Sequence, residues 1–141
     1  DELQALIEQL GLTGMARLLG FVPEADLAAL YGAADVTLMP SLDLEGFGLA
    51  TVESLACGTP VLASNAGANP ELVGPLDRAL VYPTGDARAL DERLEAILAG
   101  RLPLPSRARC AEFARTEFRW DRPVNAFIDA FDRHAVGGPT A

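Results

Sequence analysis

The sequence predicts an α/β fold, namely a Rossmann-like parallel sheet flanked by helices. Three observations lead to it. Short apolar runs without polar alternation, at 35–40, 60–64 and 79–83, are typical of parallel strands covered on both faces. Segments with helical spacing of apolar residues fall between these runs, as in a series of βαβ units. The 141 residues are half apolar and 22% charged, which suits one domain with a real core.

Charge and cysteine content narrow the functional classes. The formal net charge of −9 argues against a nucleic-acid or anionic-membrane surface, because phosphate binding needs a basic stripe. Cys57 and Cys110 match no metal or redox spacing, so we interpret both as buried thiols in a reducing, cytoplasmic compartment. No apolar run is long enough to span a bilayer, no signal peptide is recognisable and no metal-ligand cluster is visible.

The first third of the chain predicts two helices around one strand. Leu3, Leu6, Ile7 and Leu10 recur at helical spacing, and Gly11 is placed to end that helix. The run "ARLLGFV" (16–22) predicts a short strand ending at Gly20. Pro23 can open the next helix, because its missing N–H is not needed there. The predicted buried stripe of this second helix is Leu27, Leu30, Tyr31 and Ala34.

The last third predicts three more helices. Asp86 is placed to cap the first, and Gly100 lies just past its end. The predicted inward residues of this helix are Leu90, Leu94, Ile97 and Leu98. One further helix follows Ser106 and another follows Asp121. The last helix carries Val124, Phe127, Ile128 and Phe131 on one face, and we expect the tail 135–141 to be disordered.

The stretch "EGFGLATVESLACGTPVLAS" (45–64) is the candidate site. A strand at 35–40, a glycine-containing loop at 41–47 and a helix starting near Gly48 place free backbone N–H groups at the carboxyl edge of a parallel sheet. Those donors and the helix dipole favour an anion, typically a phosphate. Glu45 precedes this helix on the loop, and Glu53 follows within the helix.

A helical wheel drawn from Leu49 predicts how this helix is oriented. Its apolar side contains Val52, Leu55 and Ala56, Thr51 and Ser54 fall opposite, and Glu53 falls toward the buried side. A buried carboxylate needs hydrogen-bond donors, and the two hydroxyls of a ribose match its two oxygens. The plainer interpretation is that Glu45 is solvated and Glu53 caps the helix or forms a local salt bridge.

Beyond the two acids, the ordered motifs resemble the GT-B glycosyltransferases of the retaining group 1 (GT4) family. The match runs through "LGFVPEADLAALYGAADVTLMPS", "EGFGLATVESLACGTPVLAS", "GANPELV", "ALVYPTGDARALDERLEAIL" and "FRW", about residues 16–134. Glu45 and Glu53 fit the family pattern of two glutamates separated by seven residues.

The resemblance assigns roles to these residues. Glu53 would accept hydrogen bonds from the ribose of a nucleotide-sugar donor, and Glu45 would face the donor sugar as the catalytic residue. The backbone at Phe47, Gly48 and Leu49 would contact the sugar and the diphosphate. The chain would be part of a hexosyltransferase that retains anomeric configuration, with no cofactor and no metal.

The chain also departs from the family pattern. Family members have an additional amino-terminal domain that binds the acceptor, and an Arg and a Lys near the start of the donor domain. Neither is found here, and "GAN" at 67–69 replaces the usual Gly-Gly. We therefore expect residues 1–141 to form a partial, incomplete GT-B carboxy-terminal domain, inactive alone and completed by the missing domain or by a second copy. Any membrane contact would come through the absent region.

Three alternatives stay open on the sequence. A non-catalytic, degenerate GT-B module used for subunit pairing would fit the absence of lysine and the apolar last helix. A sugar-nucleotide epimerase shares the architecture, but the "EGFG" setting of the two glutamates favours transfer. A dinucleotide-dependent dehydrogenase is the weakest, because no Gly-x-Gly-x-x-Gly follows a strand.

Overall fold

The computed structural model describes residues 2–43 and 45–135. Seven α-helices, three strands and one 3₁₀ turn are found there. In chain order they are α1 (Glu2–Gln9), α2 (Glu24–Ala33), β1 (Thr37–Met39), α3 (Leu49–Ala56), β2 (Val61–Ser64), α4 (Asn69–Val73), the 3₁₀ turn Arg78–Leu80, β3 (Val81–Tyr82), α5 (Ala87–Leu98), α6 (Arg107–Glu117) and α7 (Asp121–Ala135).

The three strands form a parallel sheet in the order β1-β2-β3, which confirms the predicted α/β class. Thr37 pairs with Val61 across β1 and β2, and Ala63 pairs with Val81 across β2 and β3. All four residues of β2 are buried, as expected for a central strand with helices over it. The carboxyl ends of all three strands therefore meet at one edge, and the loops that follow them are neighbours.

The hydrophobic core lies where α3, α4 and α6 pack together with β2. Leu55 of α3, Leu72 and Val73 of α4, and Cys110 and Ala114 of α6 belong to one buried cluster. Cys110 is fully buried as predicted, whereas Cys57 at the end of α3 is only half-buried. Burial raises the pKa of the Cys110 thiol, so that group is held as an inert apolar side chain.

The strand predicted at 16–22 is wrong. The chain there forms turns and irregular backbone, with one isolated bridge between Thr13 and Ala16. A strand needs a neighbour for its backbone groups, and among the described residues no strand lies beside this segment. The side chains of Leu18, Leu19 and Phe21 in this segment are exposed, and Phe21 keeps 92% of its surface.

The predicted helices are confirmed, although several of the predicted faces are not covered. Asp86 caps α5 by accepting from the Ala89 N–H, and Ser106 caps α6 by accepting from the Arg109 N–H. Leu98 was predicted to face inward and is 87% exposed instead. The helices α1, α2 and α5 contain no fully buried residue, so the predicted stripe of α2 is only partly covered.

The last helix and the tail complete the described chain. The predicted apolar face of α7 exists but is exposed; it comprises Val124, Phe127, Ile128 and Phe131. The predicted disordered tail begins at Ala135, which is the final residue of α7, and 136–141 lie outside the described residues. Of the helices described, none combines the length and the hydropathy that crossing a bilayer requires.

Candidate functional site

The loops after the three strands are joined at the carboxyl edge of the sheet. The Ser64 hydroxyl at the end of β2 donates a hydrogen bond of 2.7 Å to the carbonyl oxygen of Ser41, which lies in the loop after β1. Asn65 Oδ1 accepts from both the backbone N–H and the hydroxyl of Thr84, in the loop after β3. This edge is therefore a fixed surface, on which the predicted site residues can be located.

Glu45 lies on this surface and is half-buried. Its Oε2 accepts a hydrogen bond from the Ser41 hydroxyl at 2.9 Å, and its backbone oxygen accepts from the Ala68 N–H at 3.2 Å. The described residues offer it no ion pair. One carboxylate oxygen is thus oriented by the protein, while the other has no side-chain donor there.

Gly67 lets the backbone approach Glu45 closely, and Gly48 leaves room for the Leu72 side chain of α4. Gly67 has φ +51, and a Cβ atom there would lie 2.6 Å from the Glu45 nitrogen. Gly48 has φ +74, and a Cβ atom there would lie 2.6 Å from Leu72 Cδ1 and 3.7 Å from Glu45 Cγ. Any other residue at either position would push the Glu45 loop or the α4 side chain away.

The amino terminus of α3 presents uncapped backbone donors beside Glu45. Gly48 is the N-cap and supplies no side chain, whereas its carbonyl oxygen accepts from the Thr51 and Val52 N–H groups. Within the described residues, the Leu49 and Ala50 N–H groups have no acceptor. Free first-turn amides and the positive end of the helix dipole favour an anion at this point.

The orientation of α3 differs from the helical-wheel prediction. Its buried residues are Thr51, Ser54 and Leu55, so the two polar residues expected outside are inside. The Ser54 hydroxyl contacts the Thr37 hydroxyl at 2.8 Å and donates to the Thr59 carbonyl oxygen at 3.1 Å. These bonds satisfy the buried Ser54 hydroxyl, whereas the buried Thr51 hydroxyl has no hydrogen-bond partner among the described residues.

Glu53 is consequently exposed, and its predicted position toward the buried side is wrong. It shares the open face of α3 with Leu49, one turn earlier, which is 63% exposed. Glu53 forms no ion pair among the described residues and does not cap the helix, which argues against the plainer interpretation of this acid. The carboxylate is therefore available to a ligand.

The protein donor to Glu53 is Tyr31, which sequence reasoning treated only as part of a buried stripe. The Tyr31 hydroxyl on α2 donates to Glu53 Oε2 at 3.3 Å. Burial is the main cause that raises the pKa of Tyr31, and the negative charge of Glu53 raises it further. Nothing in the spacing of the sequence could have identified this contact, because 22 positions separate the two residues.

The candidate residues occupy the loop before α3 and the first two turns of that helix. Glu45 precedes the helix, Glu53 lies one turn into it, and the exposed side chains of Phe47 and Leu49 lie between them in sequence. The helix amides can bind an anion, and the carboxylates before and within the helix can accept hydroxyl groups. Across the ranges described, no group of three or more potential metal ligands is assembled.

Comparison with known proteins identifies the family. The family model "Glycosyl transferases group 1" matches residues 1–117. The chain is 42% identical over 132 residues to an O-antigen chain mannosyltransferase B of Escherichia coli, covering 93% of this chain and 34% of that protein. It is 34% identical over 145 residues to a D-inositol 3-phosphate glycosyltransferase of Mycobacterium leprae, covering 100% of this chain and 33% of that protein.

A solved structure supports the same assignment. Sucrose-phosphate synthase from Thermosynechococcus elongatus superposes with a TM-score of 0.75 at 26% identity, over 96% of this chain and 34% of that one. This similarity extends through the helices as well as the short sheet, since nearly the whole chain is covered. The chain thus spans about a third of the length of these three proteins.

Proposed function

The chain belongs to the group 1 glycosyl transferase family, and on that premise we propose that it binds the nucleotide-sugar donor of a sugar-transfer enzyme. The full enzyme would move a hexosyl group from a nucleoside-diphosphate sugar to an acceptor with retention of anomeric configuration. The proposal includes a cytoplasmic location and the need for an acceptor-binding domain or a second copy to complete the cleft.

The observation that carries the proposal is the uncapped start of α3 between two available carboxylates. The Leu49 and Ala50 amides are without acceptors among the described residues, Glu45 is held beside them by Ser41, and Glu53 is exposed one turn later. A nucleoside-diphosphate sugar carries an anionic diphosphate between two polyhydroxyl groups, the sugar and the ribose. Along the chain, the free amides of α3 likewise lie between two carboxylates, Glu45 and Glu53.

The chemistry of transfer follows from charge development. As the glycosidic bond breaks, negative charge grows on the leaving diphosphate. Amide donors that already point at that charge stabilise the transition state more than the ground state, because they need no reorganisation. The backbone at Phe47, Gly48 and Leu49 would contact the sugar and the diphosphate, while Glu45 would lie at the reacting centre.

The experiment measures the binding of nucleotides to the chain by isothermal titration calorimetry and by thermal shift. UDP, GDP and ADP, and the corresponding sugars, are the probes. At least one should bind, and Glu53→Gln should weaken that binding by about ten- to a hundredfold, since hydrogen bonds to charged groups contribute about 1.5–3 kcal/mol. Glu112→Gln on the exposed side of α6 is the matched control, because it makes the same charge change away from the site.

Two outcomes would contradict the proposal. One is that none of the nucleotides or sugars binds; the other is that Glu53→Gln and Glu112→Gln bind equally well. Turnover is a separate test. We expect the isolated chain to transfer no sugar, and a chelator to leave the activity of a completed enzyme unchanged.

A further inference from the structure

We propose that Tyr31 is a positioning residue that orients the Glu53 carboxylate for the ribose hydroxyls of the donor. The inference rests on the proposed role of Glu53 and adds a residue to it. Tyr31 lies on α2, outside the strand-loop-helix segment that carries the other site residues. Its hydroxyl is the side-chain donor that reaches Glu53 within the part of the chain described.

Tyr31 can orient another group because its own backbone is fixed. Its carbonyl oxygen accepts from the Thr59 hydroxyl at 2.6 Å, and Thr59 is fully buried in the turn between α3 and β2. Arg107 of α6 donates to the same Thr59 hydroxyl at 3.1 Å and to the carbonyl oxygens of Gly32 and Ala34 at the end of α2. The carboxyl end of α2 is therefore anchored to the same helix–strand unit that carries Glu53.

The contact leaves the acceptor capacity that a ribose needs. A carboxylate has about four lone-pair positions, and Tyr31 uses one of those on Oε2. The remaining positions on both oxygens can accept two vicinal hydroxyls. The hydrogen bond to Oε2 also restricts the rotation of an exposed carboxylate, so less side-chain freedom is lost when the nucleotide binds.

The charges around the phenol agree with this role. The pKa of Tyr31 is raised mainly by burial, next by the charge and hydrogen bond of Glu53, and least by Cys57. The hydroxyl therefore keeps its proton and stays a donor at neutral pH. Tyr82 provides an internal comparison, because burial alone raises its pKa. The two tyrosines are the full set in the sequence, which makes their titrations separable.

The first arm of the test needs no nucleotide. The phenol titrations are followed by ultraviolet difference spectroscopy or NMR in the parent chain and in Glu53→Gln, with Tyr31→Phe used to assign the signals. The titration of Tyr31 should move to lower pH in Glu53→Gln, whereas that of Tyr82 should not move. An unchanged Tyr31 titration would overturn the contact itself.

The second arm compares a ribonucleoside diphosphate with its 2′-deoxy analogue. The parent should prefer the ribose form, Glu53→Gln should lose the preference, and Tyr31→Phe should reduce it by about two- to tenfold, the range for one hydrogen bond. A general loss of stability would weaken both ligands equally and leave the ratio intact. If the ribose preference falls in Glu53→Gln but not in Tyr31→Phe, only the role of Tyr31 is refuted. If the parent chain shows no ribose preference, the proposed roles of Glu53 and Tyr31 are both refuted.

Discussion

Replacing Gly67 by alanine tests whether the loop after β2 fixes Glu45. The positive φ of +51 costs an alanine about 1–2 kcal/mol, since its Cβ crowds the following carbonyl oxygen. The new Cβ would also lie 2.6 Å from the Glu45 nitrogen, which is backbone and cannot rotate away. Overpacking of this kind adds about 1–3 kcal/mol. We therefore expect the free energy of unfolding to fall by roughly 2–5 kcal/mol.

Urea denaturation measures this loss, and Gly46→Ala is the matched control. Gly46 lies one residue after Glu45, has no atom within 4 Å of a built Cβ and does not have a positive φ. Its alanine variant should unfold within about 0.5 kcal/mol of the parent. A Gly67→Ala variant as stable as Gly46→Ala would refute the reasoning, because the Glu45 loop would then be free to move aside.

Three further substitutions probe other contacts. Leu55→Ala should lower the free energy of unfolding, measured by urea denaturation, by about 2–5 kcal/mol because Leu55 is fully buried. Leu49→Ala should lower it by less than about 0.5 kcal/mol, because Leu49 is 63% exposed. Equal losses would mean that the other face of α3 is buried. Thr59→Val should cost about 1–3 kcal/mol, since the carbonyl oxygen of Tyr31 loses its donor, and a neutral result would contradict the anchor of α2. Because the pKa of Tyr31 is raised above its ordinary value of about 10, stability should be lost as pH rises through and beyond that value. Tyr31→Phe should lose less stability there, and an unchanged alkaline profile would show that the phenol is not perturbed.

Much of the fold could be predicted because it rests on local patterns. The apolar runs of β1, β2 and β3 and the caps at Asp86 and Ser106 are short-range signals, and all are confirmed. The strand at 16–22 was wrong because apolarity alone does not make a strand; a neighbour must exist to pair with it. That neighbour is a property of the assembled sheet, which no window of sequence contains.

The place of the candidate residues in the fold was predicted, but the orientation of α3 was not. The strand-loop-helix setting located Glu45, Gly48 and the α3 amides at the carboxyl edge of the sheet. The face of α3 could not be read from hydropathy, because Ser54 is buried through hydrogen bonds that long-range partners supply. The donor to Glu53 was missed for the same reason, since α2 approaches α3 only in the folded chain.

The sheet distributes its backbone pairing unevenly. β2 is bonded on both sides, whereas β1 is bonded on one side within the described part of the chain. A transient detachment of β1 therefore breaks one ladder, while loosening β2 would break two and expose the core. Glu45 follows β1, but Ser41 and the Glu45 backbone are hydrogen-bonded to Ser64 at the end of β2 and to Ala68 after it. Fraying of β1 alone would therefore leave the acid tethered to the strand that is bonded on both sides.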